Sequence, residues 1–166
     1  RARALAPESP LHLATSADGS TAWQRLAGVG FLGMRLPEVA GGAPVSGVEV
    51  ALVAEQLGRF CVPVPFIASA VCASQLLRDA GAAHEVLRSL GTGKLRLAPV
   101  LDSRLGGWAR SGEEGIAFDA GGAAGGVVVD PNTGGVRVVE LGATLAGQDL
   151  TRVLRHVAAD AMPIAV

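Results

Sequence analysis

The hydrophobic pattern of this chain changes near residue 95. Before that point, apolar residues recur at the three- and four-residue spacing of amphipathic helices, as in segments 21–30 and 48–57. After it, apolar residues stand in short β-branched runs, and the segment 127–141 contains two such runs around a turn-forming D-P-N-T-G-G. This pattern predicts helices first and strands afterwards, with a β-hairpin near the end of the chain.

Helices in one part and strands in the other favour an α+β fold over an alternating α/β fold. We expect an N-terminal helical domain over residues 1–94, followed by a shortened middle domain over residues 95–166 that is antiparallel and β-barrel-like. The chain has 166 residues, 49% of them hydrophobic, which is enough apolar material for a core in each part.

The charge pattern excludes several classes of partner. The chain carries 14 basic and 15 acidic residues, a net charge of −1, and no block of like charge. It therefore lacks the positive electrostatic potential that attracts nucleic acids or anionic membranes. No apolar run reaches the roughly 18 residues of a membrane span, and no continuous apolar stretch at the start resembles a signal peptide. We expect no nucleic-acid partner and no membrane span.

Cysteine and histidine usage bears on metal binding and on the cellular compartment. Cys61 and Cys72 form no C-x-x-C pair, and their Ala/Val-rich surroundings predict two buried free thiols. The absence of a disulfide framework is typical of a cytoplasmic protein. The three histidines are far apart, and none has a ligand neighbour at helical spacing. We expect a cytoplasmic location and no metal site.

A glycine pair, Gly41 and Gly42, stands between two predicted helices. A phosphate-binding glycine loop would follow a strand and carry G-x-G-x-x-G or a Walker lysine, and this segment has neither. We expect the pair to form a tight connection that lets two helices approach closely.

Several motifs in unbroken order resemble the acyl-CoA dehydrogenase family. The sequence WQRLAGVGFLG at 23–33, followed by LPEVAGG at 36–42, resembles the family patterns W-x-x-L-A-x-x-G-[FW]-x-G and [LV]-P-E-x-x-G-G. VAEQLGR at 53–59 resembles the helix that ends in EELGR, and PVPF at 63–66 resembles the loop after it. The resemblance extends from residue 20 to about residue 97.

The resemblance implies a flavoenzyme that uses FAD to remove two hydrogens from Cα and Cβ of an acyl-CoA thioester. It also implies a homo- or hetero-oligomer with acyl-CoA dehydrogenase subunits. The flavin would carry the redox chemistry, and the protein would supply position and electrostatics. By position in the family, FAD contacts, partly through backbone groups, are implied at Ala98, Val100, Leu101 and Phe118. Acyl-pocket lining is implied at Pro65 and Phe66, with simple core packing as the alternative.

The chain departs from the family pattern where cofactor contacts are implied. The family segment T-E-P-x-x-G-S-D has the counterpart APVLDS at 98–103, and the element W-[IS]-[TS] has the counterpart IAFDAG at 116–121. The segment 148–152 resembles a late-barrel LDxTR motif, in which we expect Asp149 and Arg152 to make a local turn contact.

We predict no catalytic residue in this chain, because the resemblance implies a base in a C-terminal four-helix bundle that these residues do not include. The carboxylates Glu38 and Glu55 are explained by surface positions.

Two functions stay open. The first is an FAD-dependent acyl-CoA dehydrogenase that needs the bundle or a partner subunit, and the second is a non-catalytic partner or scaffold subunit of a heteromeric acyl-CoA dehydrogenase. The substrate stays open between a fatty acid and a steroid side chain.

Overall fold

The computed structural model describes residues 18–146 and 152–166. Its first part is helical, as the sequence pattern predicts. The helices are α1 (Asp18–Gly28), α2 (Gly47–Arg59), a π-helix (Phe66–Ala73) that continues into α3 (Ser74–Asp79), and α4 (His84–Gly91), with one-turn 3₁₀ helices at Phe31–Gly33 and Glu38–Ala40.

Helix α2 begins at a cap formed by the Ser-x-x-Glu sequence of residues 46–49. The hydroxyl oxygen of Ser46 accepts a hydrogen bond from the Val48 N–H at 3.2 Å, and the Ser46 hydroxyl donates to the Glu49 carboxylate. The bond from Val48 satisfies a backbone donor that a helix start would otherwise leave unpaired, and the bond to Glu49 holds the Ser46 side chain in place. The apolar stripe expected along α2 is only partly buried, because Val50 faces the core while Val48 and Leu52 are exposed.

The second part of the chain forms a six-stranded sheet with the order β4-β3-β1-β2-β6-β5. Its strands are β1 (Leu97–Asp102), β2 (Gly115–Ala117), β3 (Gly125–Val129), β4 (Val136–Val139), β5 (Thr144–Leu145) and β6 (Leu154–Val157). The predicted α+β class is confirmed. The predicted hairpin is β3–β4, in which Val127 pairs with Val138.

The sheet differs from the expected antiparallel barrel in two details. Within the described residues it is open, with β4 and β5 at its edges. It is also mixed, because β1 and β3 run parallel. The physical reason is the path of the chain: β2 returns antiparallel on one side of β1, and the turn after β2 reverses the chain again before β3 joins the other side.

Apolar side chains cluster in the helical part, in the sheet part, and between the two. Trp23 and Leu26 pack with α2 and the following loop, while Val100, Ala117 and Val157 pack together in the sheet part. A further cluster joins helical residues to strand residues, and its members include Leu36, Leu87, Leu97 and Val127. The change from helix to strand falls between Gly91 and Leu97, and the domain division at 94/95 stays a prediction.

The glycine pair forms the expected tight connection. Gly41 has a φ of +79°, which favours glycine, and the Gly42 N–H donates to the Pro37 carbonyl at 3.1 Å. A Cβ on Gly42 would lie 2.6 Å from Leu36 Cβ. The closest partner of Gly42 is therefore the backbone and side chain of Leu36, and the loop also approaches Gly33 at the end of the first 3₁₀ helix, where the Ala43 N–H donates to the Gly33 carbonyl at 3.2 Å.

The prediction of two buried thiols is wrong for Cys61. That residue is exposed just after α2, whereas Cys72 is half-buried on the π-helix, where burial raises the pKa of its thiol. Cys61 leaves the interior because the chain turns there, with a φ of 47°. In the part of the chain that the structure describes, no helix is both long and apolar enough to cross a membrane.

Candidate functional site

Strands β1, β2 and β6 present a half-buried apolar face. The register pairs Leu101 with Ile116, and Ile116 with His156. Because successive side chains of a strand alternate between faces, these three side chains share one face, while Val100 and Ala117 occupy the other. The latter two are fully buried, whereas the first three are only partly covered.

The same face continues beyond the three paired positions. Phe118 directly follows β2, and its N–H donates to the Pro99 carbonyl at 3.3 Å, so the alternation places it with Ile116. Leu154 is two positions before His156 on β6 and takes the same face. We call this surface the open sheet face; its members are Leu101, Ile116, Phe118, Leu154 and His156.

A cavity of about 410 Å³ adjoins the open sheet face at Phe118 and Leu154. Its opposite wall comes from α2, from the loop after it, and from the start of the π-helix. The residues that complete the lining are Ala54, Leu57, Gly58, Val62, Val64, Phe66, Ile67, Asp119 and Arg152.

Asp119 and Arg152 are the charged residues that line this cavity within the described ranges. Arg152 Nη1 donates to Asp119 Oδ2 at 2.9 Å and to the Val64 carbonyl at 2.9 Å. The side chain of Asp119 is 13% exposed and that of Arg152 is 38% exposed. Because both bonds use Nη1, the guanidinium joins the sheet to the loop that precedes the π-helix. The expected local contact with Asp149 cannot be compared, since Asp149 lies outside the described residues.

The structure brings together some of the residues singled out in the sequence. Phe66 and Phe118 line the same cavity, and Leu101 shares the open sheet face with Phe118. The side chains of Ala98 and Val100 are buried in the sheet core, so any contact that they make with a cofactor would be through the backbone.

Pro65 is buried immediately before the π-helix and does not line the cavity. Its carbonyl accepts a hydrogen bond from the Ser69 N–H at 2.8 Å. Pro65 therefore sets the start of the helix that carries Phe66, and this position is compatible with core packing. The two carboxylates explained as surface residues, Glu38 and Glu55, are exposed and do not line the cavity.

Sequence reasoning missed Asp119, Leu154 and the role of Arg152. The ion pair spans 33 positions, and no local motif connects its two members. The available signal was the two-residue spacing of Ile116 and Phe118, and of Leu154 and His156, which is typical of side chains on one face of a strand. This spacing shows that the two pairs share a face only when the register between β2 and β6 is known.

A second groove, of about 830 Å³, adjoins the cavity at Ala54 and Ile67. It runs along the surface between α2 and the π-helix. At its far end the Arg35 guanidinium donates from Nε and Nη2 to Gln75 Oε1, at 3.0 and 2.7 Å. The Gln75 amide donates in turn to Asp79, which lowers the pKa of that carboxyl.

The open sheet face has the chemistry to accept one side of a flavin ring. A flavin presents a flat, largely apolar ring, and four of the five side chains of this face are apolar and stand on three adjacent strands. Leu101, Ile116 and Phe118 are the residues placed to contact such a ring. The residues present therefore fit the ring face of FAD.

The comparisons with known proteins agree with this architecture. Residues 3–88 match the family model described as the acyl-CoA dehydrogenase N-terminal domain. No curated protein matches the sequence.

Solved structures of acyl-CoA dehydrogenases share the fold. The "Tcur3481-Tcur3483 steroid ACAD G363A variant" superposes with a TM-score of 0.69 at 22% identity, over 98% of this chain and 53% of that chain. Butyryl-CoA dehydrogenase from Megasphaera elsdenii has a TM-score of 0.64 at 16% identity, over 95% and 52%. A putative acyl-CoA dehydrogenase from Mycobacterium smegmatis has a TM-score of 0.64 at 16% identity, over 98% and 54%. The chain thus spans about half the length of these proteins.

The helical layer and mixed sheet define the class of an acyl-CoA dehydrogenase N-terminal and middle region. With more than half of its residues matched by the family model, this chain belongs to the acyl-CoA dehydrogenase family.

Proposed function

We propose that this chain forms part of an FAD-dependent acyl-CoA dehydrogenase that introduces an α,β double bond into an acyl-CoA thioester. The observation that carries the proposal is the meeting of the open sheet face with the apolar cavity at Phe118. A flat cofactor on the face and an apolar group in the cavity would then lie side by side. Hydride transfer from the acyl group to the cofactor requires this proximity.

The position of each residue indicates which part of the ligands it would contact. Leu101, Ile116 and Phe118 would contact the flavin ring, and Phe66 and Ile67 would line the acyl group. When bound at these residues, FAD would supply the redox chemistry, as the acceptor of a hydride from Cβ of the substrate. The apolar walls exclude water from the reacting carbons and strengthen the electrostatic interactions there.

The base that removes the α proton is expected from outside the described residues. Among these, Asp119 is the carboxylate that lines the cavity, and its Oδ2 accepts a charged hydrogen bond from Arg152 at 2.9 Å. This charge-assisted bond holds the carboxylate of Asp119 against Arg152 in the cavity wall. Asp119 is therefore assigned a structural part in the cavity wall.

The same proposal includes the oligomeric partners, the cellular location and the domain boundary. We propose a homo- or hetero-oligomer with acyl-CoA dehydrogenase subunits, acting in the cytoplasm, with the helical and middle domains dividing at residues 94/95. The similar structures include a steroid ACAD and a butyryl-CoA dehydrogenase, so both bulky and short acyl groups are substrate classes for a test.

The first test is a visible absorption spectrum of the purified protein at defined subunit stoichiometry. We expect a flavin band that bleaches when an acyl-CoA is added without oxygen. The variant Ile116→Arg should abolish flavin binding, since a charge would enter the apolar face, whereas Val48→Arg, at an exposed position of α2, should retain it. Equal flavin content in the two variants would refute the placement of the cofactor.

The second candidate is a non-catalytic partner subunit of a heteromeric acyl-CoA dehydrogenase. It is favoured by APVLDS at 98–103, which lacks the Thr and Glu of the family pattern, and by similarity to the Tcur3481-Tcur3483 steroid ACAD, whose name joins two designations. A folded protein without flavin would support this candidate if it raised the activity of a co-purified complete dehydrogenase. A flavin that bleaches in this protein alone would reject it.

A further inference from the structure

We propose that Arg152 is a specificity-determining residue that binds a neutral oxygen acceptor, such as a ketone or hydroxyl oxygen, on the apolar group that enters the 410 Å³ cavity. The inference rests on the proposed function in one respect: this apolar group is taken to be the acyl part of the thioester. The preferred ligand is then an apolar group that carries a single uncharged oxygen atom.

The first argument is the donor count of the guanidinium. An arginine has five N–H donors in a fixed planar fork. The bonds to Asp119 and to the Val64 carbonyl both come from Nη1. Nε and Nη2 carry the other three N–H groups, and they donate to no residue that the structure describes. Arg152 therefore brings donors to the cavity wall that the rest of the described chain does not use.

The second argument is preorganisation. Asp119 belongs to the sheet part, and Val64 lies in the loop before the π-helix, so Nη1 is held from two sides at 2.9 Å each. A guanidinium that is anchored in this way loses less freedom when it binds a ligand than a free arginine on a surface. The fork is planar, so fixing Nη1 also restricts where Nη2 can lie.

The third argument concerns the charge of the ligand. Asp119 already balances the positive charge of Arg152, and the two side chains are 13% and 38% exposed. A ligand carboxylate that approached the same guanidinium would lie close to Asp119, and like charges near each other are unfavourable. A neutral oxygen accepts the hydrogen bond without this repulsion. The pair therefore selects against an anion.

The fourth argument is the rest of the lining. Apart from the ion pair, every described residue that lines the cavity is apolar or glycine, including Leu57, Val62 and Phe66. An apolar pocket with one fixed polar group orients its ligand by that group. A hydrogen bond to a charged donor corresponds to a preference of about tenfold or more over a ligand of the same shape that lacks the oxygen.

The test uses three naphthalene probes of nearly equal size with the purified protein. 2-Acetylnaphthalene carries a neutral carbonyl, 2-ethylnaphthalene lacks the oxygen, and 2-naphthoate carries a carboxylate. Dissociation constants are measured from the fluorescence of each probe. We expect the acetyl probe to bind about tenfold more tightly than the ethyl probe, and the naphthoate to bind no more tightly than the acetyl probe.

Variants separate the role of Arg152 from a general loss of structure. Arg152→Met keeps the apolar stem and should reduce the acetyl preference to about twofold or less, with little change in ethyl binding. The matched control is Arg137→Met, since Arg137 forms a comparable ion pair with Asp130 at 2.7 Å in the β3–β4 hairpin, outside the cavity. This control should retain the wild-type preference.

A second variant covers the case in which Arg152→Met does not fold. Arg152→Lys keeps the positive charge opposite Asp119 but loses the planar fork, so the acetyl preference should fall while the protein stays folded. The proposal is overturned by any of three results: no acetyl preference in the wild type, a preference that survives both Arg152 substitutions, or tighter binding of naphthoate than of the acetyl probe.

Probe binding needs neither flavin nor turnover, so its outcome is separate from that of the proposed function. If the acetyl preference behaves as expected but no acyl-CoA bleaches a flavin, the dehydrogenase proposal fails and the cavity assignment stands. If flavin chemistry is present and the preference is absent, the cavity assignment fails alone.

Discussion

Gly42 is a residue at which an added methyl group has a predictable cost in stability. A Cβ at this position would lie 2.6 Å from Leu36 Cβ, and the backbone of Leu36 is also in the way. We expect Gly42→Ala to lower the free energy of unfolding by about 1–3 kcal/mol, as forced overpacking does. Urea unfolding measures this change.

The control for Gly42 is Gly47→Ala in the first turn of α2. Open space surrounds the position of its added Cβ, and its φ is not in the left-handed region. Alanine is the better helix former, so this variant should be unchanged or slightly more stable. Equal destabilisation by both substitutions would contradict the close approach at Leu36.

Asp130 links stability to pH. The N–H of Asn132, donated to Oδ1 at 2.9 Å, and the Arg137 guanidinium hold the pKa of this carboxyl below its usual range. A depressed folded-state pKa means that the stabilisation is complete above the unfolded-state pKa and is lost as pH falls through the folded-state value. We therefore expect stability to fall in the acid window below about pH 4, the usual pKa of an aspartate, in part because of Asp130.

The variant Asp130→Asn should flatten the dependence of unfolding free energy on pH in that window, because the amide does not titrate. Asp160→Asn, at an exposed position, is the matched control and should keep the wild-type slope. Parallel curves for wild type and Asp130→Asn would show that this carboxyl does not contribute.

At the scale of elements, the π-helix is tied to the sheet through Ser69. Its buried hydroxyl oxygen accepts the Leu97 N–H at 3.3 Å, at the first residue of β1. Ser69→Ala would leave that buried N–H without its partner. We expect a loss of about 1–3 kcal/mol in unfolding free energy, the cost of an unsatisfied buried donor.

The comparison for Ser69 is Ser89→Ala on α4. The Ser89 hydroxyl donates to the Glu85 carbonyl at 2.9 Å on the exposed side of its own helix. Its loss should change stability by no more than about 0.5 kcal/mol, as is usual for surface substitutions. If Ser69→Ala behaved like Ser89→Ala in thermal and urea unfolding, the link between the π-helix and β1 would be unimportant.

Local signals explain which elements could be predicted from the sequence. Helix α2 carries its own cap at Ser46, and the β3–β4 hairpin carries its own turn residues, so both were predicted correctly. Strand β5, Thr144–Leu145, is too short for any periodicity to reveal it. The parallel pairing of β1 with β3 was missed because it depends on the path of the chain between them.

At the scale of the whole molecule, Arg96 and Trp23 join the helical part to the sheet part. The Arg96 guanidinium carbon lies 4.9 Å from the centre of the Trp23 ring, and the Trp23 indole N–H donates to the Gly93 carbonyl at 3.2 Å. Burial lowers the pKa of Arg96, which stays charged at neutral pH. We expect Arg96→Met to destabilise the protein by about 0.5–2 kcal/mol through the lost cation–π contact.

A double-mutant cycle with Trp23→Phe measures this contact directly. The two substitutions should be coupled by about 0.5 kcal/mol or more, since Arg96→Met removes the cation and Trp23→Phe weakens the ring face that it contacts. Arg110→Met, at an exposed position, is the control and should be additive with Trp23→Phe. Additivity of Arg96→Met with Trp23→Phe would rule out the contact as a source of stability.

The amino-acid sequence by itself determined the helices, the hairpin, the order of helices before strands and the membership of the acyl-CoA dehydrogenase family. These depend on spacings of a few residues or on motifs in linear order. The tertiary structure alone decided the candidate site. The open sheet face requires the register of three strands, and the bond between Asp119 and Arg152 spans 33 positions. Contacts at such separation depend on how the elements pack, and packing leaves no periodic signal in a single chain.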